Sequence, residues 1–522
     1  MIVTSCPSAS SCAATESPDI PEPTTTTRMP LIIVVSALSA GCRRPRAPLS
    51  ADRMRPAGGR IRLGRKGYEM SDIALTEFVG ATAAKFGIPG VAVGIYAGGE
   101  AVFACHGVTS VENPLPVDED TVFALGSVSK TFTATAVLCL AARGKVELDA
   151  PVRRYVPELV LADERVAARI TVRQLLNHTS GLGNGEVVES GSGDDALARY
   201  VATLATLDLI GEPGERASYS QAGYNVLGRM IEHVTGLTFE KAIATMLFEP
   251  LELEHSLYSA DELLTRRFAV GHNRAEDGTM SVARLRKRAR GDNAGGGLES
   301  SVSDLLRWSR FHLGDIDAQV VPAELLREMR DPTVALRAST LGDDIGLCWF
   351  LRDVDGVRTV GHGGSTNGQF TELLTVPERD FAVVSLANAG PDGIQFNQAV
   401  VRWALEHYLG VIDRDPEPLP FDAARAREIV GLYDLGSMRL IIESSGAELR
   451  LDVDIKPEIR AAADQELPPG HTGGVGLLPR DEYIITSGGM QGQRGYFTRD
   501  ASGAVIGIDI AGRLANRVAA QG

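Results

Sequence analysis

From Thr131 to Ala142 nearly every position is apolar or small: Phe132, Ala134, Ala136, Val137, Leu138, Cys139, Leu140. A run apolar on every face predicts a helix buried on all sides, with Gly144 as its stop. Before it, Ser71 fits the N-cap of a helix running to about residue 85, and Pro89-Gly90 breaks that helix. Segments 91–96 and 100–107 flank Gly98-Gly99 and predict a β-hairpin. Helical patterns fill 170–176, 193–210 and 221–250. Another follows Gly295-Gly-Gly-Leu-Glu-Ser-Ser-Val-Ser-Asp304 as far as about residue 313. Strand patterns return at 345–352, 359–361, 370–376 and 381–388, and a last helix covers about 395–409. Helix, hairpin, long helical insert, strands and helix imply an α/β (α+β) fold: an antiparallel sheet flanked by helices, with a helical lobe.

After Asp413-Arg-Asp-Pro-Glu-Pro-Leu-Pro420, a linker by composition, the period changes to two. Segments 437–443, 448–454, 482–486, 492–499, 504–509 and 513–518 are separated by glycine-bearing turns, which predicts a small antiparallel β-barrel. The expected divisions are an N-terminal extension at 1–69, a first domain at 70–411, a linker at 412–420 and the barrel at 421–522.

Residues 1–69 do not read as a folded domain, being rich in Ser, Thr and Pro and then in Arg and Gly. They carry a net charge of +5 in a chain whose total is −15. The acidic remainder argues against nucleic acid or an anionic membrane as the main partner. The apolar stretch 31–40 is too short to span a bilayer. It has the length of a secretion-signal core, and Ser39-Ala-Gly-Cys42 is a poor copy of a lipoprotein cleavage box, giving an exported or lipoprotein reading. Alternatively, Lys66-Gly67 can be encoded by a purine-rich ribosome-binding sequence ahead of Met70. Translation would then start at Met70 and the protein would be cytoplasmic. Of the six cysteines, Cys105, Cys139 and Cys348 sit among apolar neighbours and read as reduced core thiols. No Cys/His spacing suggests a metal, and no cofactor is expected.

The candidate chemistry lies just ahead of the buried helix. Ser127 and Lys130 are three apart and face the same way on one helical turn. A lysine in a poorly hydrated site has a depressed pKa, so its neutral amine can take a serine proton. Free N–H groups at a helix start favour developing negative charge. Ser129, between the two, reads as packing.

Other segments resemble the penicillin-recognising serine hydrolases, which include class C β-lactamases, D-aminopeptidases, D-alanyl carboxypeptidases and family VIII esterases. The resemblance rests on Gly126-Ser-Val-Ser-Lys130, Leu175-Leu-Asn-His-Thr-Ser-Gly-Leu182, Tyr219-Ser-Gln221, Ala222-Gly-Tyr-Asn-Val-Leu-Gly228 and Gly361-His-Gly-Gly364. Asn293-Ala-Gly-Gly-Gly-Leu-Glu-Ser300 and Ser385-Leu-Ala-Asn388 add to it, in order, over about 71–411. It implies that Ser127 is the acylated nucleophile and that Lys130 is its base or polarises one. Tyr219 would relay the proton, and the N–H groups of Ser127 and Ser365 would form the oxyanion hole. His362 would steady a substrate carboxylate or the tyrosine proton, and Gly363 and Gly364 would let a substrate backbone pair with the strand edge. His178 would brace a loop. Gln221 stands where the family usually has Asn, reaching one methylene further toward a substrate amide.

The segment Tyr496-Phe-Thr-Arg-Asp-Ala-Ser-Gly-Ala-Val-Ile-Gly507 resembles lipocalin-like barrels appended to some members of this family. These occur in D-peptide-handling peptidases and in thioesterases that cyclise nonribosomal peptides. The resemblance therefore implies a serine hydrolase acting on amide or ester bonds of small peptides or D-amino-acid derivatives. The alternatives are a peptide cyclase fed by a carrier-protein-bound peptide, a carboxylesterase or weak β-lactamase, and a penicillin-recognising binding protein without turnover. Homo-oligomerisation through the barrel stays open.

Overall fold

A computed structural model describes residues 65–518, apart from 186–189, 208, 276, 285–288, 317, 437 and 463–469. The expected N-terminal extension lies outside the described residues up to residue 64. The first helix spans Arg65–Phe86, so Ser71 lies inside it and does not cap it. No described helix is long and apolar enough to cross a membrane.

An eight-stranded antiparallel sheet forms the frame. Its order is Glu100–Gly107, Gly90–Ala97, Phe381–Ala387, Gln369–Val376, Val357–Thr366, Phe350–Val354, Gly342–Ile345 and Val334–Ser339. Strands from the beginning and the end of the first domain thus lie side by side, next to the Glu100–Gly107 edge, where Val91 pairs with Ala387. One face packs on Arg65–Phe86 and Gly393–Ala404, joined by stacking of Phe78 on Trp403 at 4.8 Å. The other face belongs to the large core of the helical lobe. The predicted strand over 345–352 is two strands, Gly342–Ile345 and Phe350–Val354, and Val334–Ser339 was not expected.

The helix Ser129–Ala142 runs through that core, buried from Ser129 to Leu140. Phe132 stacks on Trp308 at 3.9 Å and meets Phe248 edge-on at 6.0 Å. Its buried hydroxyls are satisfied within the fold: Thr133 Oγ1 donates to Ala294 O at 2.6 Å and Thr135 Oγ1 to Thr131 O at 2.8 Å. Gly144, at φ +66°, ends it as predicted. The Gly144 N–H reaches Ala141 O and the Lys145 N–H reaches Leu140 O, a Schellman pair.

The C-terminal strands close an eight-stranded barrel. Two of them, Gly431–Leu435 and His471–Leu477, were not predicted. In the second, Gly473, Gly474 and Gly476 erase the apolar alternation. The barrel docks on the far end of the large sheet. Thr340 N–H and Oγ1 donate to Arg494 O at 3.1 and 3.0 Å, and Arg337 stacks over Tyr496 at 4.9 Å. The preceding linker is also tied down: Arg352 pairs with Asp413 at 2.7 Å, and the Leu419 N–H reaches Leu477 O.

His312 packs behind the central helix, with Nε2 3.3 Å from Thr135 Oγ1. Burial, with Arg330 nearby, pushes its pKa down to about 3. Folding therefore excludes a proton that the unfolded chain takes up, and the stability His312 contributes is lost as pH falls below the unfolded value. Relative to a His312→Gln variant, the wild type should lose about 1.4 kcal/mol between pH of about 7.5 and 5.5, read from urea unfolding. An unchanged gap between the two proteins would contradict this.

Candidate active site

Ser127 lies on a 3-10 turn, Gly126–Val128, that feeds directly into the buried helix. It is half-buried, whereas Lys130 has no solvent exposure. An amine at that depth requires oxygen partners. Lys130 Nζ donates to Gln221 Oε1 at 2.5 Å and to the carbonyl of Gly295 at 2.6 Å. It also lies 4.7 Å from the centroid of the Tyr219 ring.

Gln221 begins the helix Gln221–Thr235, behind the N-cap Ser220. Both ends of its amide are used inside the protein. Nε2 donates to Asp292 Oδ1 at 2.6 Å, and the same oxygen accepts from Asn225 Nδ2 at 3.0 Å. Since a carboxylate only accepts, this fixes the amide with Oε1 toward Lys130. The Gln221 amide is thus held between Lys130 and Asp292.

Tyr219 is 4% exposed and held from several sides. His178, at φ +60°, brackets it: the His178 carbonyl accepts the Ser218 N–H, and its Nδ1 accepts the Ser220 N–H at 3.1 Å. The His178 ring sits 4.5 Å from that of Tyr219. Burial and the charge of Lys130 push the His178 pKa well below its usual range, so the ring is neutral. This geometry matches the expected loop-bracing role.

The remaining support comes from the barrel, and sequence reasoning missed it. The Tyr219 N–H donates to the Gly512 carbonyl at 2.8 Å. The Arg513 guanidinium lies 4.5 Å from the Tyr219 ring centroid, and its Nε donates to Asn184 Oδ1 at 3.2 Å. The backbone carbonyl of Asn184 accepts the N–H groups of Gln221 and Ala222. No local motif marks Gly512 or Arg513, because their meaning depends on how the barrel docks. Asp292 was within reach, directly before the quoted Asn293-Ala-Gly-Gly-Gly run.

The strand Val357–Thr366 brings His362 to the same place. His362 is 2% exposed, 4.7 Å from Phe350 and 6.2 Å from Tyr219 between ring centroids. Its Nδ1 sits 2.7 Å from the Gly363 carbonyl, so Nδ1 carries the hydrogen and Nε2 presents a lone pair. Burial and Lys130 push its pKa down to about 3. A neutral acceptor suits a tyrosine proton and does not suit a substrate carboxylate.

The glycines beside it are filled by the protein itself. A Cβ on Gly364 would strike Leu125 O and lie 3.0 Å from Ser127 N; one on Gly126 would lie 2.7 Å from Ser365 N. These two glycines press the His362 strand against the Ser127 turn and set the Ser127 and Ser365 backbones side by side. Gly363 faces the other way, where its Cβ would lie 2.9 Å from Glu372 Oε2. In the Cβ direction, then, Gly364 is packed against the Leu125 carbonyl and Gly363 lies beside the Glu372 carboxylate. The strand edge does remain: pairing with Phe350–Val354 stops at Gly361, and beyond it residues 362–366 have one strand partner. Among the described residues no group of His, Cys, Asp and Glu is arranged to hold a metal ion.

The family described as "Beta-lactamase" matches residues 75–405, which contain all of these residues except the barrel turn. The chain belongs to the beta-lactamase family. Penicillin-binding protein 4 of Amycolatopsis lactamdurans is 33% identical over 364 residues, covering 66% of this chain and 93% of that protein. The beta-lactamase of Escherichia coli K12 is 25% identical, over 58% of this chain and 84% of its own. Among solved structures, SurE aligns with a TM-score of 0.66 at 24% identity, over 86% of this chain and 100% of SurE. An octameric penicillin-binding protein homologue from Pyrococcus abyssi aligns at 0.57, with 24% identity, over 85% and 98%. A class C beta-lactamase from Rhodobacter sphaeroides aligns at 0.52, with 24% identity, over 63% of this chain. The beta-lactamase-family fold is therefore shared widely, and coverage above four fifths of this chain goes with SurE and the octameric homologue.

Gly364→Ala tests the close approach of strand and turn in this beta-lactamase-family protein. The added Cβ must part them, and acylation of Ser127 should slow by about 100-fold or more while the fold is retained. Wild-type labelling by a fluorophosphonate would contradict the packing described.

Proposed function

We propose that this serine hydrolase works through an acyl-Ser127 intermediate on amide or ester bonds of small peptides or D-amino-acid derivatives. The observation that carries the reading is the wholly buried Lys130 amine, held by two oxygens beneath Tyr219 at the foot of the Ser127 turn.

Ser127 Oγ attacks the carbonyl carbon while its proton passes to the Tyr219 oxygen, whose anionic form the Lys130 cation favours. The carbonyl oxygen becomes an oxyanion, received by the N–H groups of Ser127 and Ser365. Tyr219 returns the proton to the departing amine or alkoxide as the tetrahedral intermediate collapses. Water then attacks the ester carbon, gives its proton to the same tyrosine, and Ser127 recovers it on release of the acid. The neutral His362, accepting at Nε2, steadies the tyrosine proton. Arg513 places a positive charge beside Tyr219, which favours substrates carrying a carboxylate.

A second reading, acyl transfer to an amine with cyclisation of a peptide, is favoured by the barrel turn over Tyr219. A protein wall beside an acyl-enzyme limits the approach of water. SurE, which shares the fold and the barrel-length coverage, has been crystallised with D-Leu.

The deciding measurement is turnover of a panel of p-nitrophenyl esters, D- and L-amino-acid amides, β-lactams and a peptidyl N-acetylcysteamine thioester ending in a D-residue. Repeated turnover, abolished by Ser127→Ala and lowered about a thousandfold by Lys130→Ala, is expected. Full activity in either variant would refute the assignment. Linear acid as the only thioester product would refute the cyclase reading.

A further inference from the structure

The Gln221 amide lies between two groups of opposite charge. Its oxygen accepts from the Lys130 ammonium at 2.5 Å, and its nitrogen donates to Asp292 Oδ1 at 2.6 Å. An amide held this way is polarised, because a carboxylate drawing on its N–H makes its carbonyl a stronger acceptor. The negative charge of Asp292 thus acts on Lys130 through the amide.

The surroundings fix Asp292 in this place. It is 1% exposed and ends the 3-10 turn Arg290–Asp292, with its N–H on Ala289 O at 2.9 Å. Its Oδ1 also accepts from Asn225 Nδ2 at 3.0 Å, one helical turn beyond Gln221. The carboxylate therefore grips the helix Gln221–Thr235 at two points. The next turn, Asn293–Gly296, closes around the amide. A Cβ on Gly295 would strike the Gln221 amide, which is thus pressed against that glycine. The Gly295 carbonyl accepts from Lys130 at 2.6 Å, and the Ala294 carbonyl accepts from Thr133 Oγ1, on the same helix as Lys130. One short segment, 292–295, supplies both the second oxygen for Lys130 and the carboxylate behind the first. The other titratable side chains near the amine do not duplicate that negative charge. His178 and His362 are neutral, and burial pushes the Cys348 thiol up to about 12 and the Tyr224 phenol well above its usual value. Arg513, beside the Tyr219 ring, adds a positive charge.

We propose that Asp292 is a positioning residue for the acylation of Ser127: through the Gln221 amide it holds the Lys130 ammonium in place and charged beside the Tyr219 ring. The proton still moves from Ser127 Oγ to Tyr219. Asp292 acts on the cation that favours the anionic tyrosine and touches no reacting atom. This rests on the acyl-Ser127 reading given above.

The test uses the full chain as wild type, Asp292→Asn, Gln221→Asn, the double variant and Asn225→Ala. Each is checked for folding by circular dichroism, and its rate of Ser127 labelling by a fluorophosphonate is then followed against pH. Asp292→Asn has the same shape and keeps an oxygen for the Gln221 amide, but it loses the charge. Its labelling at pH of about 7 should be slower by about tenfold or more. Lys130 then gives up its proton more readily, so the alkaline fall in rate should begin about one pH unit lower than in wild type. Gln221→Asn is one methylene too short to span both groups and should show the same slowing and the same alkaline shift. The double variant should lose no more than about threefold beyond either single one, because Asp292 acts through Gln221. Asn225→Ala removes the Asp292 contact that does not lead to Lys130 and should stay within about threefold of wild type. A wild-type rate or an unmoved alkaline limb in folded Asp292→Asn, multiplied losses in the double variant, or an equal loss in Asn225→Ala would each overturn the inference. Should Asp292→Asn not fold, Gln221→Asn decides alone: the same slowing and shift support the inference, and a wild-type profile overturns it. A wild type that is not labelled at Ser127 would instead strike the acyl-transfer reading itself.

Discussion

The structure depends on one buried amine. Lys130 is placed by its helix where no water reaches it, and an amine there is tolerable only with oxygens close at hand. That requirement organises the neighbouring elements. It fixes the Gln221 amide, which in turn requires Asp292, and it draws in the Gly295 carbonyl from the glycine run ahead of Val302–Leu313. The same charge helps keep His178 and His362 neutral, so the two imidazoles around Tyr219 add no further positive charge. Removing the Lys130 amine would leave the buried Gln221 Oε1 and the Gly295 carbonyl without the donor they share.

Around this centre three separate parts of the chain are pressed together. Gly126 and Gly364 let the Ser127 turn and the His362 strand touch backbone to backbone, which no side chain would permit. His178 fixes the run leading into Gln221–Thr235 from one side, and the Ala511-Gly512 turn fixes it from the other. Tyr219 thus sits between an imidazole and a guanidinium, with Lys130 over its ring. The tyrosine is held jointly by the first domain, through His178, and by the barrel, through Gly512 and Arg513.

Much of this was legible in the sequence, for identifiable reasons. The central helix was readable because its apolar run and Gly144 are local signals. Ser127, Lys130, Tyr219 and His362 were readable because four short motifs recur in order, and the structure brings all four together. What failed was long-range or lacked a side chain to announce it. His471–Leu477 escaped because three glycines interrupt its alternation. The link from Gln221 to Asp292 was not readable, because nothing local reveals a partner 71 residues away. The close approach of Gly364 to the Leu125 carbonyl could not be read either, since it joins segments far apart in the chain. Arg513 was invisible, since only barrel docking brings it to Tyr219.

The central claim, that Ser127 is a reactive nucleophile in this setting, is tested most directly by intact-protein mass spectrometry after exposure to a fluorophosphonate, with peptide mapping of the product. The account predicts a single adduct on Ser127 of the native protein and none on Ser127→Ala. No adduct on the folded native protein, or the same adduct on Ser127→Ala, would contradict it.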